Sequence, residues 1–119
     1  DGVNRFIVNF SSVSGRNGNI GQIDYTAAKG AIEAMTKTTA REFSGYRARV
    51  NAIAPGPVNT PMLAAVGQAG IDAMARGTLV GRIAEPNDMA AVVCFLADPK
   101  MSGYVTGQVM PANGGLYLQ

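Results

Sequence analysis

The chain contains no histidine and no tryptophan, and its only cysteine is Cys94. Without histidine these residues can build neither a Ser-His-Asp triad nor a His-ligated zinc site, and a single thiol closes no internal disulfide. Charge is scarce as well: 15% of residues are charged, the net charge is +2, and no basic run occurs. Nothing therefore offers a track for nucleic acid or an anionic membrane surface. Apolar runs are short, none nearing the roughly 20 residues that cross a bilayer. The opening Asp1-Gly2-Val3-Asn4-Arg5 has no secretory-signal pattern. Together these absences predict a reducing, cytoplasmic setting.

What is present suits one soluble globular domain, with 119 residues of which 47% are apolar. The chain has no initiating methionine and enters an apolar stretch almost at once, so a piece of something longer is expected.

Phe6-Ile7-Val8-Asn9-Phe10 is a nearly continuous apolar run, which predicts a parallel strand buried on both faces. Glycine, asparagine and serine between Ser12 and Ile23 predict a loop. From Asp24, alanines with Ile32, Met35 and Phe43 at helical intervals predict a helix over about 24–44, stopping at Ser44-Gly45. Arg49-Val50-Asn51-Ala52-Ile53-Ala54 predicts a second strand ending in the turn Pro55-Gly56-Pro57. Residues 61–82 mix Ala, Gly and Met with weak periodicity, as short mobile helices of a lid would. Pro86 suits a first helical residue, with Asp98-Pro99 closing that helix. Gly107-Gln108-Val109-Met110 predicts a last strand before Asn113-Gly114-Gly115.

Strand, helix, strand, helix, strand is the order of an α/β protein with a right-handed parallel sheet and helices on its faces. Open sheets of this kind bind ligands beyond the carboxyl ends of their strands. Ser12 follows the first strand and Pro55 to Thr60 follow the second, while Tyr25 opens the helix between them, so three features converge on one edge.

Tyr25 and Lys29 stand four residues apart, on one helical face, where a cation stabilises a phenolate. Free tyrosine titrates near pH 10, so a base working at neutral pH needs such a neighbour. A Tyr-x-x-x-Lys pair alone is ordinary helix surface. Here it lies thirteen residues after Ser12 and ahead of Pro55-Gly56-Pro57-Val58-Asn59-Thr60.

With these spaced motifs, and with Thr106-Gly107-Gln108 and Asn113-Gly114-Gly115 at its end, the sequence resembles the short-chain dehydrogenase/reductase family. The likeness is strongest to its 3-oxoacyl-carrier-protein reductases and runs from Arg5 to Leu118. The resemblance implies the C-terminal portion of a Rossmann-like, doubly wound parallel sheet and an oxidoreductase interconverting a secondary alcohol and a ketone with NAD or NADP. It makes Tyr25 the general acid/base and Ser12 the group that polarises the substrate oxygen. Lys29 becomes the cation that tunes Tyr25 and bonds the nicotinamide ribose. It also implies cofactor contact at Tyr25, Lys29, Pro55, Gly56, Val58 and Thr60, the Val58 backbone reaching the carboxamide and the Thr60 hydroxyl the carboxamide or a phosphate.

The family's glycine-rich phosphate loop, its NAD/NADP-selecting residue and its tetrad asparagine match nothing here. The expectation is therefore a C-terminal catalytic half over residues 1–119, inactive alone, whose other half lies upstream. An alternative reading makes the chain only a helix-mediated oligomerisation module. The two are compatible, since family members form tetramers or dimers through equivalent helices.

Other signals read as bland. The glycines from Gly15 to Gly21 lack the Gly-x-Gly start of a dinucleotide fingerprint and suggest a flexible substrate-side loop. Asn9-Phe10-Ser11 matches a glycosylation pattern but falls in a predicted buried strand. Ser11 and Ser14 flank Ser12 without its spacing to Tyr25, and Cys94 reads as a small hydrophobe on an apolar helix.

Overall fold

The computed structural model describes residues 2–118. Strands β1 (Arg5–Phe10), β2 (Ala48–Pro55) and β3 (Val109–Ala112) form a parallel sheet in the order β1-β2-β3. Between β1 and β2 lie α1 (Val13–Asn17), α2 (Ile23–Glu42) and a 3-10 turn at Phe43–Tyr46. Between β2 and β3 lie α3 (Pro61–Ala64), α4 (Gln68–Gly77), α5 (Pro86–Ala97) and α6 (Pro99–Ser102).

With a neighbour on each side, β2 is buried over residues 49–54, as a central parallel strand must be. The two helical layers take opposite faces because successive strand residues point opposite ways. On one face Asn9 donates to Thr36 Oγ1 of α2 at 3.0 Å. On the other, Val8 and Ile53 pack with Met89, Val92 and Leu96 of α5. Helix α2 carries Asp24 in its first turn and Arg41 in its last, each matching the helix dipole. Helix α5 starts at Pro86, where the missing N–H has no intrahelical partner to lose.

Among the described residues, the sheet contains a buried cation with no carboxylate partner. Arg49 Nη1 donates to the Leu96 carbonyl at 2.7 Å and to the carbonyl and hydroxyl of Ser102, both at 3.0 Å. Its Nη2 reaches the Ala97 carbonyl at 3.2 Å. Leu96 and Ala97 end α5, so the guanidinium satisfies carbonyls that the helix leaves open and meets the negative end of its dipole. Next to it, Asn51 donates to the Val105 carbonyl and accepts from the Gln108 N–H, both at 3.0 Å.

Four expectations need correction. Strand β1 is not buried on both faces: Phe6, Ile7 and Phe10 are 42%, 37% and 43% exposed, because among the described residues β1 pairs with β2 alone. The last strand begins two residues later than expected, since the Gln108 N–H is taken by the Asn51 side chain. The stretch after Ser12 is not all loop, as residues 13–17 form α1. Cys94 is exposed on α5 rather than packed as a hydrophobe. Helices α2 and α5 and strand β2 begin and end within two residues of where the sequence pattern puts them, α2 giving way to the 3-10 turn at Phe43–Tyr46, while α6 has no counterpart among the expected elements.

Two outcomes follow from the polar anchors. Replacing Arg49 with Leu leaves buried carbonyls of α5 and Ser102 without a donor, at roughly 1–3 kcal/mol for an unsatisfied group, and should lower stability by about that much in urea titration. At the start of α5, Asp88 accepts from Arg82 at 2.7 and 3.1 Å and from the Glu85 N–H at 2.7 Å. The Arg82 hydrogen bond first, then the Glu85 N–H, hold the Asp88 carboxyl down at about 2, against a usual 3.8. A depressed carboxyl contributes stability that is complete above its unfolded value and is lost as pH falls through its folded one. The wild type should therefore lose melting temperature between about pH 4 and pH 2 more steeply than Asp88→Asn. The effect will be modest because the pair is at the surface.

Candidate active site

Tyr25 and Lys29 sit in the first two turns of α2, at the carboxyl edge of the sheet where the chain leaves β1. Lys29 Nζ lies 5.7 Å from the centre of the Tyr25 ring and donates to the Phe10 carbonyl at 3.0 Å. Phe10 ends β1, so the ammonium is tied to the strand that leads directly to Ser12. The Tyr25 ring is 42% exposed, open to an incoming molecule.

Ser12 is 9% exposed and caps α1, its hydroxyl oxygen accepting from the Ser14 N–H at 3.2 Å. A serine at this position relieves one of the open N–H groups of a helix start. The cap uses an oxygen lone pair and leaves the hydroxyl proton free to donate. Helix α1 then lies hard against α2. A Cβ on Gly15 would stand 2.9 Å from both the carbonyl carbon and the Cβ of Lys29, so only glycine permits this approach.

Below them, Ser11 donates its N–H to the Ile53 carbonyl at 2.7 Å, carrying the β1–β2 pairing past the last ladder pair, Phe10 with Ile53. Two residues further on, that register sets Ser12 level with Pro55. The Pro55 to Thr60 turn thus starts beside Ser12, at the same edge. Gly56 donates to Ala112 at 3.0 Å, and a Cβ there would meet the Asn113 Cα at 2.9 Å. Val58 bridges Ala84 through the carbonyl of Pro57 and the N–H of Asn59. The Val58 peptide groups are consequently turned the other way, an N–H and a carbonyl side by side. Thr60 precedes α3, and its side chain makes no cap hydrogen bond.

The structure brings Tyr25 and Lys29 together and ties Lys29 to the approach of Ser12. Among the described residues, Ser12 and Tyr25 make no hydrogen bond to each other. A cavity of about 280 Å³ opens beneath the end of α4, lined by Pro57, Thr78, Val80, Arg82 and the Asn113 to Gly115 loop. It does not include Ser12, Tyr25, Lys29 or Thr60. Ser11 and Glu33, which sequence reading set aside or passed over, lie inside the site's supports: Ser11 Oγ is 3.0 Å from the Lys29 carbonyl and 3.1 Å from Glu33 Oε2. The signal was available, since Glu33 falls one helical turn after Lys29 on the same face.

Residues 4–117 match the family model described as Enoyl-(Acyl carrier protein) reductase. The chain belongs to the short-chain dehydrogenase/reductase family. It is 44% identical over 115 residues to a 3-oxoacyl-[acyl-carrier-protein] reductase of Thermotoga maritima, covering 97% of this chain and 46% of that protein. It is 39% identical over 112 residues to a human (3R)-3-hydroxyacyl-CoA dehydrogenase, covering 94% of this chain and 42% of the relative. A crystal structure of a 3-oxoacyl-[acyl-carrier protein] reductase from Brucella melitensis superposes with a TM-score of 0.89 at 39% identity, over 96% of this chain and 42% of its own. The chain thus spans less than half the length of these short-chain dehydrogenase/reductase relatives.

For this member of the family, Gly15→Ala should push α1 away from Lys29. The expected result, read by thermal melting, is a destabilisation of about 1–3 kcal/mol, as for overpacking at a tight contact. An Ala at exposed Gly45, where a Cβ meets nothing within 4 Å, should leave the melting temperature unchanged or slightly raised.

Proposed function

We propose that the chain is the catalytic, C-terminal half of an NAD(P)(H)-dependent oxidoreductase that interconverts a secondary alcohol and a ketone. The observation that carries this reading is the Lys29 ammonium, held by the Phe10 carbonyl at 3.0 Å and standing 5.7 Å from the centre of the Tyr25 ring. The fixed cation places positive charge beside a group that must give and take a proton. In the reductive direction Tyr25 passes its proton to the substrate oxygen, and Lys29 stabilises the phenolate left behind. Ser12, with its lone pair engaged by Ser14 and its proton free, donates a hydrogen bond to the same oxygen and polarises the carbonyl.

The donor set fits a nicotinamide. Val58 offers a peptide N–H and carbonyl turned away from the Ala84 bridge, a pairing complementary to a carboxamide. The uncapped Thr60 hydroxyl and the Lys29 ammonium add donors for carboxamide or phosphate and for ribose hydroxyls. Pro55 and Gly56 bring the backbone of that turn to the sheet edge. When bound, the nicotinamide supplies or accepts the hydride. The phosphate-binding half is proposed to lie in sequence preceding these residues, in keeping with the share of the relatives that the chain spans. The exposed Met62 and helices α3 and α4 then form a lid over the substrate.

The relatives' names support a 3-oxoacyl or 3-hydroxyacyl thioester as substrate class. Association of copies is supported by the exposed Ala27, Ala31, Ala34 and Met35 on one side of α2. It accompanies catalysis on this reading rather than replacing it.

The test follows oxidation of NADPH or NADH by absorbance in the full-length gene product, with acetoacetyl-CoA as the probe substrate. Tyr25→Phe and Lys29→Met should each lower kcat by about 10²–10⁴-fold, the usual contribution of positioned acid/base groups. Activity within a few fold of wild type in either variant would refute the assignment.

A further inference from the structure

Behind the proposed catalytic pair lies a polar cluster that substrate and cofactor need not touch. Arg16 of α1 donates from Nε to Glu33 Oε1 of α2 at 2.7 Å, with side chains 25% and 10% exposed. The other Glu33 oxygen is 3.1 Å from Ser11 Oγ, which also lies 3.0 Å from the Lys29 backbone carbonyl. One hydroxyl proton is shared between these two acceptors, in a three-centre arrangement. Lys37, one turn further along α2, lines the same cleft as Arg16 and Glu33, so the carboxylate faces cations from both helices.

Consecutive residues of the strand end therefore grip one lysine at both ends. Phe10 holds its ammonium at 3.0 Å, Ser11 holds its main chain, and Ser12 comes next. Glu33 orients Ser11 and at the same time pulls α1, which Ser12 caps, onto α2 through Arg16. A buried carboxylate with two donors is a poor choice for stability alone, since its desolvation offsets most of what pairing returns. It does define one geometry, because both partners must be in place together.

Building on the function proposed above, we propose that Glu33, acting through Ser11 and Arg16, is a positioning residue that sets the spacing of Ser12 from Lys29 and Tyr25. Its contribution acts on the chemical step, because a misplacement of the reacting groups by about 1 Å lowers the rate by as much as about 10²-fold.

The experiment uses the full-length gene product with acetoacetyl-CoA and NADPH, measuring kcat, both KM values and melting temperature. Ser11→Ala and Glu33→Ala should each lower kcat about tenfold while the KM for NADPH stays within about twofold, as expected when orientation rather than binding is lost. Glu33→Gln, which keeps an oxygen for Ser11, should recover most of that loss. In a Lys29→Met background the Glu33→Ala change should have little further effect on kcat, because residues acting as a unit are not additive. Wild-type kcat in Ser11→Ala, or an undiminished Glu33→Ala effect on top of Lys29→Met, would overturn the proposal and leave the cluster a brace of the fold. If Glu33→Ala does not fold, Ser11→Ala, which removes one oxygen atom, decides. Tyr25→Phe run alongside separates the two failures. An active Tyr25→Phe sinks the function itself, whereas an inactive Tyr25→Phe beside a fully active Ser11→Ala sinks only the positioning role.

Discussion

The parallel pairing of β1 with β2 is the constraint on which the site depends. A parallel connection must return the chain to the starting edge before the second strand can begin, and a helix is the usual way to do so. The amino end of α2 is thereby placed at the edge where β1 finishes. Residues in the first two turns of α2 have no other place to be, and Tyr25 and Lys29 are two of them. The ladder pair of Phe10 with Ile53, extended by the Ser11 N–H to the Ile53 carbonyl, then fixes Ser12 against Pro55. Slipping the register by one residue would turn Val8 out of the α5 interface and Asn9 away from Thr36. The site and the core are therefore specified by the same alignment.

Buried polar groups complete what the strands begin. Arg49 and Asn51 lie on the central strand and spend their hydrogen bonds on peptide groups of other segments: the end of α5, Ser102, Val105 and Gln108. Each anchors a connection that has little apolar area of its own. Glu33 and Ser11 do the same between α1 and α2. In every case the side chain satisfies, or is satisfied by, groups that would otherwise be costly to bury: main-chain groups for Arg49, Asn51 and Ser11, and the side chains of Ser11 and Arg16 for Glu33. Uniform apolar packing could fill those volumes but would not hold the loops in one arrangement.

This division explains what the sequence made legible. The sequence of strands and helices along the chain, the extent of α2 and α5 and the Tyr25/Lys29 face are properties of short windows, where a period of two or 3.6 residues carries the information. The short helix α1 is different. Its residues include glycine and asparagine, and it holds because Ser12 caps it and Gly15 fits against Lys29, a contact between positions that share no local pattern. The exposure of Phe6, Ile7 and Phe10 was equally hidden, since an apolar run reads the same at a sheet's edge as at its centre. On α5 apolar residues surround the helix, so nothing in the pattern marked Cys94 as exposed. Glu33 was missed for the opposite reason, because a charged helical residue is ordinarily solvated and only Ser11 and Arg16 together make its burial tolerable.

Ser12 has two tasks on the proposed reading, and they do not compete. Capping requires an acceptor and carbonyl polarisation requires a donor, and a hydroxyl has both. The Ser14 N–H, at 3.2 Å, occupies one lone pair and restricts the side-chain rotamer without touching the proton. The cap thus pre-orients the donor before any substrate arrives, so less orientational freedom is lost in the reaction. A five-residue helix contributes little stability of its own. Its place between Ser12 and the tight Gly15 contact is better understood as the device that holds a hydroxyl at the edge of the sheet where α2 begins.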